Sequence, residues 1–410
     1  MRIAILCNDT RGGVQPYAAL ASGLKHAGHE VVAVAPTESI GLFQASGVAV
    51  TPLAGTEDAV ALLAGGAAER GTLAAMHLMR RELPARLSGW TRTVLDVAGG
   101  ADLLLGGIGG GLIGALAAER LGVPFMHAHL QPVGFSTSSY PGVLGPRLPT
   151  WLGPAGFKFS HILSELAVRM PFGFAVRQVR KQLGLQSQFR PVTAKLPVLY
   201  GFSRLVVPMP DGRGRHVTGY WTERTSVWRP SEELDRFVAD DRPVVSVGFG
   251  SMGSADPRAL AALAVGAARR VGAKTVLLGG WAGLQVEPAD DILMVSSVPH
   301  DWLFPRMAAI VHHGGAGTTA AAMIAGTSAV IVPFAVDQFF WAERAQALSV
   351  SPKAVPRRSL TEARLARSLV EVMGNGAMAN AAQRLGEMLR QEQGVERAVE
   401  IVSELRLTPR

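Results

Sequence analysis

Short apolar strands alternate with helical patterns along almost the whole chain, and they do so twice. In the first half, strands are predicted at Arg2–Cys7, Glu30–Ala35, Ala49–Pro52, Leu103–Leu105 and Pro124–His127. A basic, proline-dotted stretch, Leu205–Pro230, interrupts the pattern and reads as a linker. Alternation restarts at Pro243–Gly248, Thr275–Leu278, Leu293–Val295, Ala309–His312 and Ala329–Pro333, and the tail Ala377–Leu405 is helical. Parallel strands need long crossovers, so this order predicts parallel sheets with helices on both faces. A chain of 410 residues also exceeds what one core organises. The expected fold is α/β, two Rossmann-like domains facing each other across a cleft. Boundaries are expected at 1–215, a linker at 216–242, a second domain at 243–385 and a C-terminal helix at 386–410. Ligands in such sheets bind beyond the carboxyl ends of the strands.

Composition narrows the function classes. Hydrophobic residues make up 48% and charged ones 18%, an ordinary globular balance. The single cysteine, Cys7, lies in the first strand and has no partner for a disulfide, which suits a reducing cytoplasm. No signal-like start is visible, and no apolar run reaches the roughly 18 residues of a membrane span. A cytoplasmic protein, at most touching a membrane surface weakly, is expected. A net charge of +8 favours anionic ligands. The basic pairs Arg80–Arg81, Arg269–Arg270 and Arg357–Arg358 are scattered without interleaved aromatics, so no nucleic-acid partner is expected.

Three glycine-rich loops compete for the ligand. Gly109, Gly111 and Gly114 fit G-x-G-x-x-G after a strand, but the next strand, PFMHAH, lacks the acid that a dinucleotide fingerprint needs. A packed turn explains this loop. Gly248, Gly250 and Gly253 repeat the spacing in "SVGFGSMGS", and Ser251 adds a hydroxyl; a phosphate contact and a structural turn remain equally open. The third loop, "VHHGGAGTTAAAMIAG", runs from a strand through Gly314, Gly315 and Gly317 into a helix with Thr318 and Thr319 in its first turn. Glycines admit close approach of backbone amides to an anion, and the helix N-terminus supplies unpaired donors. His313 can place a ring N–H beside the same anion. Further on, Asp337 and Gln338 have the hydrogen-bonding equipment to hold vicinal hydroxyls, although an N-cap would also explain the acid.

Taken with "VTGYWTERTSVWRP", "SVGFGSM", "VPHDWLFPRMAAIVHHGGAGTTAAAMIAG" and "VPFAVDQFFWAERAQALSVSP", the chain resembles GT-B glycosyltransferases of the UDP-glycosyltransferase family. Within it, the similarity is to the sterol glucosyltransferase-like branch and its antibiotic-pathway bacterial relatives. The resemblance implies that His313, Gly315, Gly317, Thr318 and Thr319 bind a diphosphate, that Asp337 and Gln338 hold the donor sugar, and that Ser297 and Val298 touch the base. It places Ser251 near the phosphates or ribose, an acceptor pocket in the first domain, and the C-terminal helix back against that domain.

The opening loop departs from the family pattern. Chains of this branch read G-[ST]-R-G-D-V-Q-P, with the Asp deprotonating the acceptor. Here the acceptor-side loop is Thr10, Arg11, Gly12 and Gly13, so Gly13 stands where the base is expected. Loss of a general base costs ~10²–10⁴ in rate. Asp9 is the nearest replacement, with His127 and His129 as further candidates, and a carboxylate introduced at Gly13 is expected to raise turnover on an alcohol. The stretch Leu148–Leu185, with Trp151, Phe157, Phe172, Phe174, Arg177, Arg180 and Lys181, reads as an acceptor lid, a membrane-surface patch or domain-interface packing.

The expected activity is inverting, metal-independent transfer of a hexose from a UDP- or dTDP-sugar co-substrate to a lipophilic small molecule, without a cofactor. No D-x-D metal motif is present. A sugar-nucleotide-binding partner protein that has lost catalysis is the rival reading, and a monomer or homodimer is expected.

Overall fold

The computed structural model describes residues 1–55, 72–144, 148–186, 196–209, 212, 214–222, 228–239, 241–250, 256–279 and 284–405; it does not describe the side chains of residues 11, 72–80, 150 and 167–171. The chain divides into two compact units, Met1–Thr222 with Gln393–Arg410, and Glu223–Glu392.

The first unit is built on strands β1 (Arg2–Leu6), β2 (Glu30–Pro36), β3 (Ala49–Leu53), β4 (Leu103–Gly106), β5 (Phe125–His129), β6 (Val198–Tyr200) and β7 (Arg215–Val217). They form one parallel sheet in the order β3-β2-β1-β4-β5-β6-β7. β7 lies inside the stretch that reads as a linker in sequence. Its three residues, RHV, carry one buried apolar side chain, too little to register as a strand without its neighbour.

The buried run of β1 follows from its position at the centre of the sheet. Alternate side chains serve two cores. Ile3, Ile5 and Cys7 join Val14, Leu20 and Leu24 of helix α1 (Arg11–His26). Ala4 and Leu6 join Leu87, Trp90 and Val94 of the helix Thr72–Val97, with Ile113 and Leu116 of the helix Ile108–Leu121. The helix Gly394–Ser403 brings Ala398 and Val402 into the first of these cores. In the second, Arg180 on the helix Gly153–Gln182 makes a two-pronged ion pair with Glu119 at 2.6 and 2.8 Å. On that same helix and the turn before it, Trp151, Phe159, Ile162, Leu166 and Phe174 are exposed. Among the described residues no helix is long and apolar enough to cross a membrane.

The second unit holds β8 (Val244–Gly248), β9 (Lys274–Leu278), β10 (Ile292–Val295), β11 (Ala309–His312) and β12 (Ala329–Ile331), parallel in the order β10-β9-β8-β11-β12. The order reverses between β8 and β11. Loops leaving the carboxyl ends of those two strands diverge to opposite faces of the sheet, which opens a crevice there.

Candidate active site

The crevice of the second unit is lined by the glycine loops after β8 and β11. His312, the last residue of β11, is buried, and its Nδ1 accepts the Gly314 N–H at 3.0 Å. That bond turns the chain and directs His313 the other way. The His313 ring lies between two glycines. A Cβ at Gly250 would come within 2.8 Å of its Cε1, and one at Gly315 within 2.5 Å of its Nε2. Gly250 also has φ +61, a conformation that disfavours other residues. Gly250 therefore accommodates this imidazole. Ser251, the next residue, lies outside the described residues.

The helix Ala316–Ala325 follows at once, with Gly315 as an N-cap that has no side chain. The N–H groups of Ala316, Gly317 and Thr318 have no acceptor within the helix, as at any α-helix start. Thr319 is turned toward the backbone. Its N–H and its hydroxyl both donate to the Gly315 carbonyl at 2.9 Å, and the side chain is buried. Both bonds brace the turn. Thr318, half-buried, sits one position nearer the helix end.

Burial, reinforced by His300, holds His313 down to about 4, so at neutral pH the ring is an uncharged donor. His312 is driven down by burial and then by His313 and His300. His300, stacked on Phe304 at 4.2 Å, is a neighbour that the sequence does not flag. The segment "VPHDW" contains it, but nothing local ties it to the His pair.

After β12, Val336 adopts φ +55 although it is β-branched and 60% exposed. Such strain is uncommon and concentrates at functional turns. Asp337 follows, and its Oδ2 accepts the Trp341 indole N–H at 3.0 Å. Gln338 is buried, and its Oε1 accepts the N–H groups of Phe334 and Ala335 at 2.7 and 3.2 Å. Gln338 thus fixes the loop through its carbonyl, while Asp337 is the N-cap residue of the next helix, Gln338–Ala347, with no side-chain cap hydrogen bond. Ser297 and Val298 follow the end of β10, Ser297 exposed and Val298 buried.

In the first unit the order also reverses, between β1 and β4. The Asp9 side chain, half-exposed, accepts the Thr10 N–H at 2.7 Å. Thr10 in turn opens α1, its carbonyl accepting from Gly13 and Val14 at 2.9 and 3.0 Å. Arg11 and Gly12 follow in the same first turn. His127 and His129 project from β5 with rings stacked at 5.3 Å. Burial lowers His127, and burial with its neighbour lowers His129 to about 3. His129 is buried among core side chains, which removes it from the candidate bases.

The G-x-G-x-x-G after β4 is a packing feature. A Cβ at Gly109 or Gly110 would overlap the carbonyls of Asn8 and Leu6, and one at Gly114 would collide with Phe125 and Leu6. The middle glycine of the spacing, Gly111, has nothing within 4 Å of a built Cβ.

The chain thus has two parallel-sheet α/β units, the second with a histidine and an open helix start at its switch point. Residues 283–405 match the erythromycin biosynthesis protein CIII-like C-terminal domain. The chain is 34% identical over 420 residues to O-mycaminosyltylonolide 6-deoxyallosyltransferase of Streptomyces fradiae, covering 98% of this chain and 97% of that protein. It is 31% identical over 436 residues to a sterol 3-beta-glucosyltransferase of Cryptococcus neoformans, with 98% of this chain covered but only 27% of that protein's length. Among solved structures, a Streptomyces sp. SF2575 glycosyltransferase complexed with thymidine diphosphate superposes with TM-score 0.64 at 18% identity, covering 99% of this chain and 100% of that one. The chain belongs to this glycosyltransferase family and is a GT-B glycosyltransferase.

Proposed function

We propose that the enzyme transfers a hexose, with inversion and without a metal, from a UDP- or dTDP-sugar to a lipophilic small molecule such as a polyketide, sterol or phenol. The observation that carries this reading is the His313 ring seated between Gly250 and Gly315 beside the uncapped start of the helix Ala316–Ala325. A diphosphate there would accept from the backbone N–H groups of Ala316, Gly317 and Thr318 and from the neutral imidazole. Its negative charge would develop against the positive end of the helix dipole. A bound dianion favours the protonated ring and would raise the His313 pKa from about 4.

Asp337, fixed by Trp341, is the group offered to the sugar hydroxyls, with Gln338 holding its loop. Ser297 and Val298 are assigned to the base. The name of the Streptomyces fradiae relative, a deoxyallosyltransferase, and the thymidine diphosphate in the structural neighbour support a nucleotide-sugar donor and a natural-product acceptor.

The test is calorimetric titration with UDP and dTDP in the presence of a chelator. It is followed by transfer assays on a panel of polyketides, sterols and phenols, with the anomeric configuration of the product read by NMR. Metal-dependent binding, or a product retaining the donor's configuration, would overturn the corresponding part of the reading. Nucleotide binding with no transfer to any acceptor would favour the rival, a sugar-nucleotide-binding partner protein.

A further inference from the structure

We propose that the Asp9 carboxylate is the acceptor-side base and that Gly13 is a glycine because Asp9 occupies its side-chain space. This rests on the glycosyl-transfer reading above and adds the residue that removes the proton.

The geometry is specific. A Cβ built on Gly13 would overlap Cγ and Oδ2 of Asp9 and lie 2.8 Å from its Oδ1. Gly13 has no positive φ, so its backbone conformation does not require glycine. What forbids a side chain is the carboxylate from four residues earlier. The Thr10 N–H holds that carboxylate at Oδ1, at the start of α1, where a helix dipole favours negative charge. It stands beyond the carboxyl end of β1, at the point where the strand order of the first sheet reverses.

The sequence of the turn reads consistently with this. Against G-[ST]-R-G-D, the segment here is D-T-R-G-G: glycine and aspartate have exchanged ends of one five-residue turn. Either change alone would leave the turn with no carboxylate or with two in one volume. Both together leave one, in the space of the residue-13 side chain. Of the two histidine candidates, His129 is buried, which leaves half-buried His127 as the alternative to Asp9.

In the step itself, the acceptor O–H gives its proton to an Asp9 oxygen as the acceptor oxygen's electron pair forms a bond to the anomeric carbon. The bond from that carbon to the diphosphate oxygen breaks, and its electron pair leaves with the nucleoside diphosphate. Asp9 then releases the proton to solvent.

Four variants test this with an alcohol acceptor: Asp9→Asn, Asp9→Gly, Gly13→Asp and the double exchange Asp9→Gly with Gly13→Asp. Asp9→Asn keeps the shape and should lower kcat by ~10²–10⁴, with dTDP or UDP affinity unchanged. Asp9→Gly should do the same. The double exchange should recover kcat to within about tenfold of the unmodified enzyme. Gly13→Asp alone, a repair by sequence logic, should reduce activity, because two carboxylates compete for one site. Turnover within about threefold of normal for Asp9→Asn, or a double exchange no better than Asp9→Gly, overturns the proposal. Absence of transfer by the unmodified chain to any acceptor overturns the functional reading and this one with it.

Discussion

Both sheets place a glycine-rich helix start beside the point where strand order reverses, and different atoms fill the space over the glycines in each. After β4, that space is taken by the chain itself: the Asn8 and Leu6 carbonyls, the Tyr17 hydroxyl and the Phe125 ring. After β11, Gly315 lies under an imidazole that the loop after β8 also accommodates, and the helix start has no side-chain cap. One spacing of glycines thus serves close packing in one unit and a donor-rich pocket in the other. What lies opposite the glycine decides between them.

The sharpest way to break this comparison is substitution at Gly110, whose new Cβ would meet the Leu6 backbone carbonyl. Backbone cannot be repacked, so Gly110→Ala should destabilise the first unit by about 3 kcal/mol, read as a shift in urea midpoint. Gly111→Ala, in the same turn but with nothing near its Cβ, should be neutral or stabilising by ~0.5–1 kcal/mol. Equal effects would show that the turn, not its packing, selects glycine.

In the second unit, His313→Ala should weaken nucleoside diphosphate binding by about 2 kcal/mol, as for a lost hydrogen bond to a charged group, while leaving the melting of the first unit unchanged. A His313→Ala variant that binds as well as the parent would assign the anion to the helix terminus alone.

Acid should reach both units by the same route. An unfolded imidazole takes its proton near 6.5, whereas His313 and His129 in the folded chain take theirs only at about 4 and about 3. Below pH 6.5 the unfolded state therefore binds more protons, and stability should fall with pH by up to ~1.4 kcal/mol per unit for each such histidine. His129→Phe should remove one histidine's share of that slope between pH 6.5 and 4.5, measured by denaturant titration. A bound diphosphate should reduce the share of His313.

The smallest effect is expected at Val336. Val336→Gly relieves φ +55 and should stabilise the second unit by ~0.5 kcal/mol, the strain released less the entropy that glycine adds to the unfolded chain. Turnover should fall with it if the strained turn positions Asp337. Unchanged turnover would make the strain incidental.

Much of this arrangement is legible from residues alone. β1 to β5 and β8 to β12 lie within a residue or two of the expected segments, because most of them are buried on both faces and declare themselves as apolar runs. The uncovered amides of "HHGGAGT" are legible for the same local reason, since glycines at a strand-to-helix turn leave a helix start without a side-chain cap. β6 and β7 are not legible; each has three residues and exists only as a rung against its neighbour. The backbone contacts of Thr319 and Gln338 are not legible from sequence, where a hydroxyl or amide near a site reads only as a ligand group. Here the Thr319 hydroxyl and the Gln338 carbonyl are turned to backbone.

Residue order alone therefore yields the α/β alternation, the family and the glycine-rich strand-to-helix turns, all of which depend on periodicity and local residue type. Which atoms meet is settled by the fold alone. The Asp9 carboxylate fills the volume of residue 13, the His313 ring rests between glycines 65 residues apart in number (250 and 315), and the Gly109–Gly114 loop is closed by the chain's own carbonyls. Contacts of this kind depend on distances between separate segments. A side chain's partner is set by what the fold brings within a few ångströms of it, which neighbouring residues in sequence do not record.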